Sequence, residues 1–150
     1  MIAIDRIIDR LVADEGEVLH AYEDHMGFLT IGVGRLIDQR KGGGITPEES
    51  RYLLANDIRK WVAIAGQWPW FESLDWQRQG VLICMLHQMG AKRVTGFKNT
   101  LAAIARGDYD TAADEMLDSW GTVEKPGWHR QTPKRCELMA QVMRTGVWPE

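Results

Sequence analysis

Residues 15–36 read EGEVLHAYEDHMGFLTIGVGRL, and the periodicity of the chain changes here. Before this stretch, Ile4, Ile7, Ile8, Leu11 and Val12 recur at helical spacing, with Asp5, Arg6, Asp9 and Arg10 on the opposite face. That pattern predicts a helix of about 14 residues, its apolar stripe in a core, stopped by Gly16. Within the stretch the helical spacing fails. Gly27, Gly32 and Gly34 would be costly in a helix. Val18, Tyr22, Phe28, Thr30, Ile31 and Val33 favour strands. Residues 17–37 therefore read as a small antiparallel sheet with a turn near Glu23–Gly27.

Working outward, Lys41-Gly42-Gly43-Gly44 reads as a flexible loop. It lacks the spacing and the Gly-Lys-Ser/Thr ending of a phosphate-binding loop. Thr46-Pro47-Glu48-Glu49 carries an N-cap, a first-turn proline and the glutamate of a capping box. It predicts a helix from Pro47 to about Ala65, roughly 28 Å long, enough to link two lobes. Its apolar stripe is Leu53, Leu54, Ile58, Trp61 and Val62. Beyond Gly66 the chain is helical in short pieces. Ser73 or Asp75 caps an apolar segment holding Val81, Leu82, Cys84, Met85 and Leu86, and Gly90 ends it. Residues 99–106, 111–118 and 133–144 read as further helices, the last opened by Thr132-Pro133. Residues 121–127, with two glycines and one proline, read as a loop. The fold class is α+β and mostly helical. A small β-hairpin lobe (about 14–60) and a helical lobe (about 66–150 plus the N-terminal helix) form one two-lobed domain over 1–150.

Composition narrows the function. The 150 residues carry 18 Lys+Arg against 21 Asp+Glu, so a nucleic-acid footprint is not expected. The acidic excess lies wholly in residues 1–66, with 8 Lys+Arg and 11 Asp+Glu. No apolar run approaches the roughly 20 residues of a membrane helix, and the charged, interrupted start is no signal peptide. Cys84 and Cys136 fit no zinc or redox spacing and read as buried, reduced thiols. His20 and His25 lack a third ligand and read as solvent-exposed, so no metal site is expected. Trp68, Trp70 and Trp76 read as packing after the long helix, and Trp120 and Trp128 flank the 121–127 loop.

The best place for chemistry is the helix end and the hairpin that follows it. Glu15 sits at the negative end of the first helix, where an ionised carboxylate is disfavoured, so it can keep its proton and act as a general acid. Asp24 lies in the polar turn, where a carboxylate stays ionised. Two carboxyls in unlike settings are what glycoside hydrolysis uses. Thr30, on the return strand, offers a hydroxyl to hold water. By spacing alone the same residues also fit a solvated surface.

The motif Glu15-Gly16, Tyr22, Asp24, then Gly27-Phe28-Leu29-Thr30-Ile31-Gly32-Val33-Gly34 resembles the active-site stretch of phage-type lysozymes, the endolysins of glycoside hydrolase family 24. The resemblance continues through Ser73-Leu74-Asp75 with Arg78, Gln88-Met89-Gly90, Val94-Thr95-Gly96-Phe97 and Asn99. It resumes at Gln131-Thr132-Pro133 with Arg135, and ends with Arg144-Thr145-Gly146-Val147-Trp148. It spans nearly the whole chain.

The resemblance implies a lysozyme fold with a glycan-binding cleft. It implies hydrolysis of the N-acetylmuramic acid to N-acetylglucosamine bond of peptidoglycan, with inversion and without metal or cofactor. Glu15 becomes the proton donor, Asp24 the second carboxylate and Thr30 the water-positioning residue. Leu36 corresponds to a substrate-contacting leucine and Gln88 to an amide that meets an acetamido group. His87 stands where the family has an aromatic, Thr100 where it has a serine, and Glu115 where it has an asparagine. Arg135 corresponds to an arginine near the catalytic acid, and Trp120 or Trp128 takes the place of a cleft tryptophan, to stack on sugar or simply to pack. Arg35 replaces a histidine, so its ion pairing should differ. The family further implies a monomer without stable membrane association. It would be held in the host cytoplasm until a separate holin-like membrane pore admits it to the wall. The rival readings are a lytic transglycosylase acting on the same bond and an inactive peptidoglycan-binding protein.

Overall fold

The computed structural model describes residues 4–38, 43–124 and 126–148. Lys41 and Gly42 of the expected loop lie outside the described residues. By their internal contacts the residues divide into two compact units, Met1–Leu53 and Leu54–Glu150. The division falls inside the long helix rather than at its end. The N-terminal helix groups with the sheet, because a single tight turn at Gly16 joins it to the first strand.

In the first unit, α1 (Ile4–Glu15) is followed by β1 (Val18–Glu23), β2 (Leu29–Gly32) and β3 (Arg35–Leu36). They form an antiparallel sheet in the order β1-β2-β3. Tyr22 pairs with Thr30 and Val18 with Gly32, so the register shifts along β1. This irregularity lets a longer strand sit against a shorter one. Thr30 also pairs with Leu36 on the other side, which makes β2 central and buries Thr30. The expectation that the α1 stripe is core is not met. Ile8 and Leu11 are 51% and 48% exposed, and the side chains of Ile4 and Ile7 lie outside the described residues. The reason is scale: β3 is two residues long and β1 is mostly exposed, too little apolar surface to cover a helix face.

The long helix α2 runs Pro47–Ala65, as its start and stop signals predict. Its capping box is complete. The Glu49 N–H donates to Thr46 Oγ1 at 3.2 Å, and the Thr46 N–H donates to Glu49 Oε2 at 2.8 Å. The Thr46 N–H, then the Arg35 guanidinium, hold the Glu49 carboxyl below its ordinary range. The α2 stripe is likewise less buried than its spacing predicts: Leu53, Leu54, Ile58 and Val62 stay substantially exposed, and only Ala65 is buried.

The second unit is helical. A 3-10 turn (Phe71–Ser73) leads into α3 (Trp76–Met89), α4 (Ala91–Val94), α5 (Lys98–Ala105), α6 (Tyr109–Leu117), α7 (Trp128–Gln131) and α8 (Pro133–Thr145). Val81, Leu82, Met85 and Leu86 of α3 are buried among Ile104, Met116 and Met143. Each such side chain contributes about 1.5–3 kcal/mol relative to exposure. Ala112 and Ala113 on α6 let it pack closely on α5 and α8, its main partners. Helices α4 and α7 are four residues each, too short for a 3.6-residue period to register in the sequence. Trp68 and Trp70 stack at 5.4 Å, while Trp76 turns instead to Trp148 at 5.5 Å. Cys136 is buried, and burial pushes its thiol up to about 11. Cys84 is only half-buried, on the rim of a depression rather than in the core.

One arginine ties both ends of this unit together. Asp75 caps α3 by accepting the Arg78 N–H at 2.9 Å. The Arg78 guanidinium pairs with Asp75, donates to the Met143 carbonyl at 2.8 Å and to the Arg144 carbonyl at 3.1 Å, and lies 3.8 Å from the centre of the Tyr109 ring. It thus closes the C-terminus of α8, whose last carbonyls lack helical partners. Arg78→Met should cost about 2–3 kcal/mol, read as a lowered thermal midpoint. Burial works against the Asp75 carboxylate, but the Arg78 N–H and guanidinium outweigh it and hold its pKa below the usual value. A carboxyl depressed in the folded state stabilises above its unfolded pKa and loses that contribution as pH falls. The Asp75 share of the Arg78→Met defect should therefore be full at pH 7 and fade below about pH 4. A defect unchanged at pH 2–3 would assign it to the carbonyl contacts alone.

Candidate active site

The C-terminus of α1 delivers Glu15. The Gly16 N–H bonds to the Val12 carbonyl at 3.0 Å, and Gly16 adopts φ +76°, which glycine tolerates without strain. Glu15 is exposed, so burial does not shape its setting. Its neighbour Asp14 is engaged by Arg10 at 2.7 Å.

The hairpin turn fixes Asp24. One carboxylate oxygen, Oδ1, accepts from the N–H groups of Met26 at 2.9 Å and Phe28 at 2.8 Å. The Asp24 N–H donates to the Phe28 carbonyl, and the Gly27 N–H to the Asp24 carbonyl, each at 2.9 Å. Asp24 is half-buried and locked, a more ordered setting than an open polar turn. Thr30 Oγ1 donates to the Phe28 carbonyl at 3.0 Å. That bond consumes the hydroxyl hydrogen, so any water Thr30 holds must donate to its oxygen. The same residue, Phe28, thus orients both Asp24 and Thr30.

Leu36 lies on β3, half-buried, in a depression of ≈ 670 Å³ shared with Arg35, Ile37, Gly43, Gly44, Ile45 and Thr46. Arg35 forms a two-pronged ion pair with Glu49, its Nη2 at 2.8 Å from Oε2, and donates to the Gly44 carbonyl at 3.1 Å. The altered ion pair expected of Arg35 therefore closes on the capping-box glutamate. Sequence reading assigned Glu49 the capping role alone.

The remaining candidates lie in the second unit, around two separate depressions. Thr100 and Glu115 share one of ≈ 310 Å³ with Gly96, Phe97, Lys98, Asn99 and Ser119. Thr100 is 2% exposed, so it can meet a ligand only at the floor. Asn99 Nδ2 donates to Glu115 Oε2 at 3.1 Å, which gives the glutamate at this position a local partner. His87, Gln88 and Arg135 border a second depression of ≈ 320 Å³ with Leu54, Ile58, Ile83 and Cys84. His87 is exposed, and its Nδ1 accepts from Trp61 Nε1 at 3.3 Å. Its neutral ring then carries hydrogen on Nε2. Burial raises the Cys84 thiol above its ordinary range, and the Arg135 charge offsets part of that rise.

Gln88 is more committed than a free binding amide. Its Oε1 accepts from Trp128 Nε1 at 3.0 Å, and its Nε2 donates to Thr132 Oγ1 at 2.9 Å. Thr132 consequently makes no side-chain cap on α8, contrary to its sequence signal. Trp128 is 1% exposed and Trp120 is 50% exposed. Of the two tryptophans flanking the loop, Trp128 is core and only Trp120 presents a face. Asn99, quoted as part of a motif, and Ser119 join the candidates, and of the two flanking tryptophans only Trp120 stays available for the sugar contact that the resemblance allows either of them.

The α+β fold, with Glu15 ending a helix and Asp24 and Thr30 in the hairpin after it, is the arrangement that the lysozyme resemblance implies. The phage lysozyme family matches residues 12–135, and the chain belongs to that family. It is 30% identical to "Probable T4-type lysozyme 1" of Dictyostelium discoideum, covering 96% of each chain. It is 31% identical to "Probable T4-type lysozyme 2" of the same organism, covering 98% of each. It is 33% identical to the endolysin of Salmonella phage P22, over 73% of this chain and 77% of that one.

Proposed function

We propose that the protein hydrolyses the β-1,4 bond between N-acetylmuramic acid and N-acetylglucosamine in peptidoglycan. The observation that carries this reading is the hairpin: Phe28 holds both Asp24 and Thr30 in place, in the hairpin that follows the helix end bearing Glu15. The Glu15 carboxyl gives its proton to the glycosidic oxygen as the bond to the anomeric carbon breaks. Asp24, ionised, accepts a proton from the water that attacks the opposite face, and the Thr30 oxygen holds that water. Two carboxyls acting across a water invert the anomeric centre, which needs a separation of about 6.5–9.5 Å in the bound state. Leu36, His87, Gln88, Thr100, Glu115 and Arg135 are the proposed sugar contacts. The Gln88 amide would offer its second hydrogen and second lone pair, since one of each is already used.

Proton NMR of the first product tests the water-activating role of Asp24. The α-anomer at the new reducing end is expected, and initial β-anomer would remove that role. The biological reading is lysis of a bacterial host from its cytoplasm, with a separate membrane-pore protein admitting the enzyme to the wall. No helix among the described residues is long and apolar enough to cross a membrane. Expression alone in intact cells should leave them unlysed, and lysis without a pore protein would contradict the dependence.

A further inference from the structure

We propose that Trp120 is a sugar-stacking platform that adds a contact to the glycan beside the Thr100–Glu115 depression. This rests on the reading of the protein as a peptidoglycan hydrolase. Trp120 follows Ser119, which lines that depression, and opens the 121–127 loop. Half of its surface is exposed, although an indole favours burial.

The ring is held from behind. It lies on the His129 imidazole, with centroids 4.2 Å apart and planes 38° from parallel. His129 is itself buried and pinned. Its Nδ1 carries hydrogen and donates to the Leu117 carbonyl at 2.5 Å. Its backbone N–H donates to both the carbonyl and the hydroxyl of Ser119. The support under Trp120 therefore continues into the wall of the depression.

The loop is held as well. The Gly127 N–H donates to the Trp120 carbonyl at 2.7 Å, and Gly121 bridges Pro126. Arg93 and Gln131 both donate to the Pro126 carbonyl, at 3.0 and 2.8 Å. A Cβ on Gly127 would stand 2.0 Å from the Ser119 carbonyl oxygen, so the two strands of the loop touch. An exposed aromatic on a braced loop keeps its face presented at little entropic cost on binding. The depression lined by Ser119, its neighbour in the chain, offers donors and acceptors for hydroxyl and acetamido groups at Asn99, Glu115 and Ser119. A flat apolar face next to such polar groups fits a pyranose ring, which has an apolar C–H face and a polar rim.

Steady-state kinetics on intact Gram-negative sacculi and on peptide-free glycan strands, released from the same sacculi by amidase, tests the proposal. Trp120→Ala should raise KM about tenfold on both substrates, with kcat within about twofold of wild type. Trp120→Phe, which keeps a flat face, should restore most of the loss. Trp120→Leu, which keeps apolar bulk over His129 without a flat face, should not. An unchanged KM in Trp120→Ala, a fall in kcat alone, or rescue by leucine as complete as by phenylalanine would overturn it. A defect on intact sacculi that vanishes on peptide-free strands would assign the contact to the stem peptide and overturn the sugar assignment. These outcomes require an active wild type. A wild type inert on both substrates would instead remove the hydrolase reading, and the platform with it.

Discussion

Glu15→Gln is expected to lower peptidoglycan hydrolysis by roughly three orders of magnitude while leaving the thermal midpoint unchanged. A positioned general acid contributes about 10²–10⁴ in rate, and glutamine has the same shape without a transferable proton. Glu15 is exposed at the end of α1, so the substitution disturbs no packing. Asp14→Asn is the matched control one residue away. Asp14 is paired with Arg10 on the surface, and an exposed pair of this kind contributes little. Turbidity clearing of permeabilised Gram-negative cells reads both variants. Clearing by Glu15→Gln at the wild-type rate would remove Glu15 as the acid, whatever the family resemblance implies.

Trp128→Ala carries the largest expected effect on stability, about 3–5 kcal/mol, as for other buried aromatics. In a chain of this size that lowers the midpoint by roughly 6–20 °C. The ring is fully buried, meets Phe97 edge-on at 6.2 Å and donates to Gln88. The alanine variant loses the packing and leaves the Gln88 carbonyl oxygen without its donor. Trp128→Phe separates the two effects. It keeps most of the volume and loses the donor, so about 1–3 kcal/mol of the defect should remain. Gln88→Leu in the Trp128→Phe background should recover part of that remainder, because both polar partners are then gone together. Calorimetry of the three variants reads the series. A Trp128→Phe protein as stable as wild type would show that the hydrogen bond contributes nothing to the fold.

Much of this structure can be read along the chain, for reasons that differ from element to element. Helix α2 was legible at its start because its cap is chemical: Thr46, Pro47 and Glu49 each do one identifiable thing there. The sheet was legible because three glycines and six strand-favouring residues interrupt a helical period. Thr132-Pro133 misled only about the cap. The helix starts at Pro133, but the threonine hydroxyl is taken by Gln88, 44 residues away, a tertiary demand that local spacing does not show. The same holds for Arg35. Its change from the family pattern was visible, while its partner Glu49 comes from the register of β3 against the start of α2. The apolar stripes of α1 and α2 were legible as stripes, but burial depends on what each unit offers opposite them, and spacing does not carry that information. The choice between Trp120 and Trp128 also needed coordinates. Both flank the same loop, and only the Gln88 hydrogen bond and the near-zero exposure of Trp128 separate them. Glu15, Asp24 and Thr30 stood out through their motif. The two roles of Phe28, one through its N–H and one through its carbonyl, are backbone features that no side-chain pattern reveals.

The acidic balance of the chain bears on how it reaches its substrate. With 21 acidic against 18 basic residues, and peptidoglycan itself anionic, long-range attraction has little to work with. Activity should therefore fall only weakly between low and physiological salt. A steep loss over that range would show that a local basic surface steers the encounter.

The most direct test of the account is mass spectrometry of the fragments released from purified peptidoglycan. Hydrolysis with Glu15 as acid and a water held at Asp24 and Thr30 should give muropeptides that end in reducing N-acetylmuramic acid. Fragments that end in 1,6-anhydro-N-acetylmuramic acid, one water lighter, would contradict it and make the protein a lytic transglycosylase.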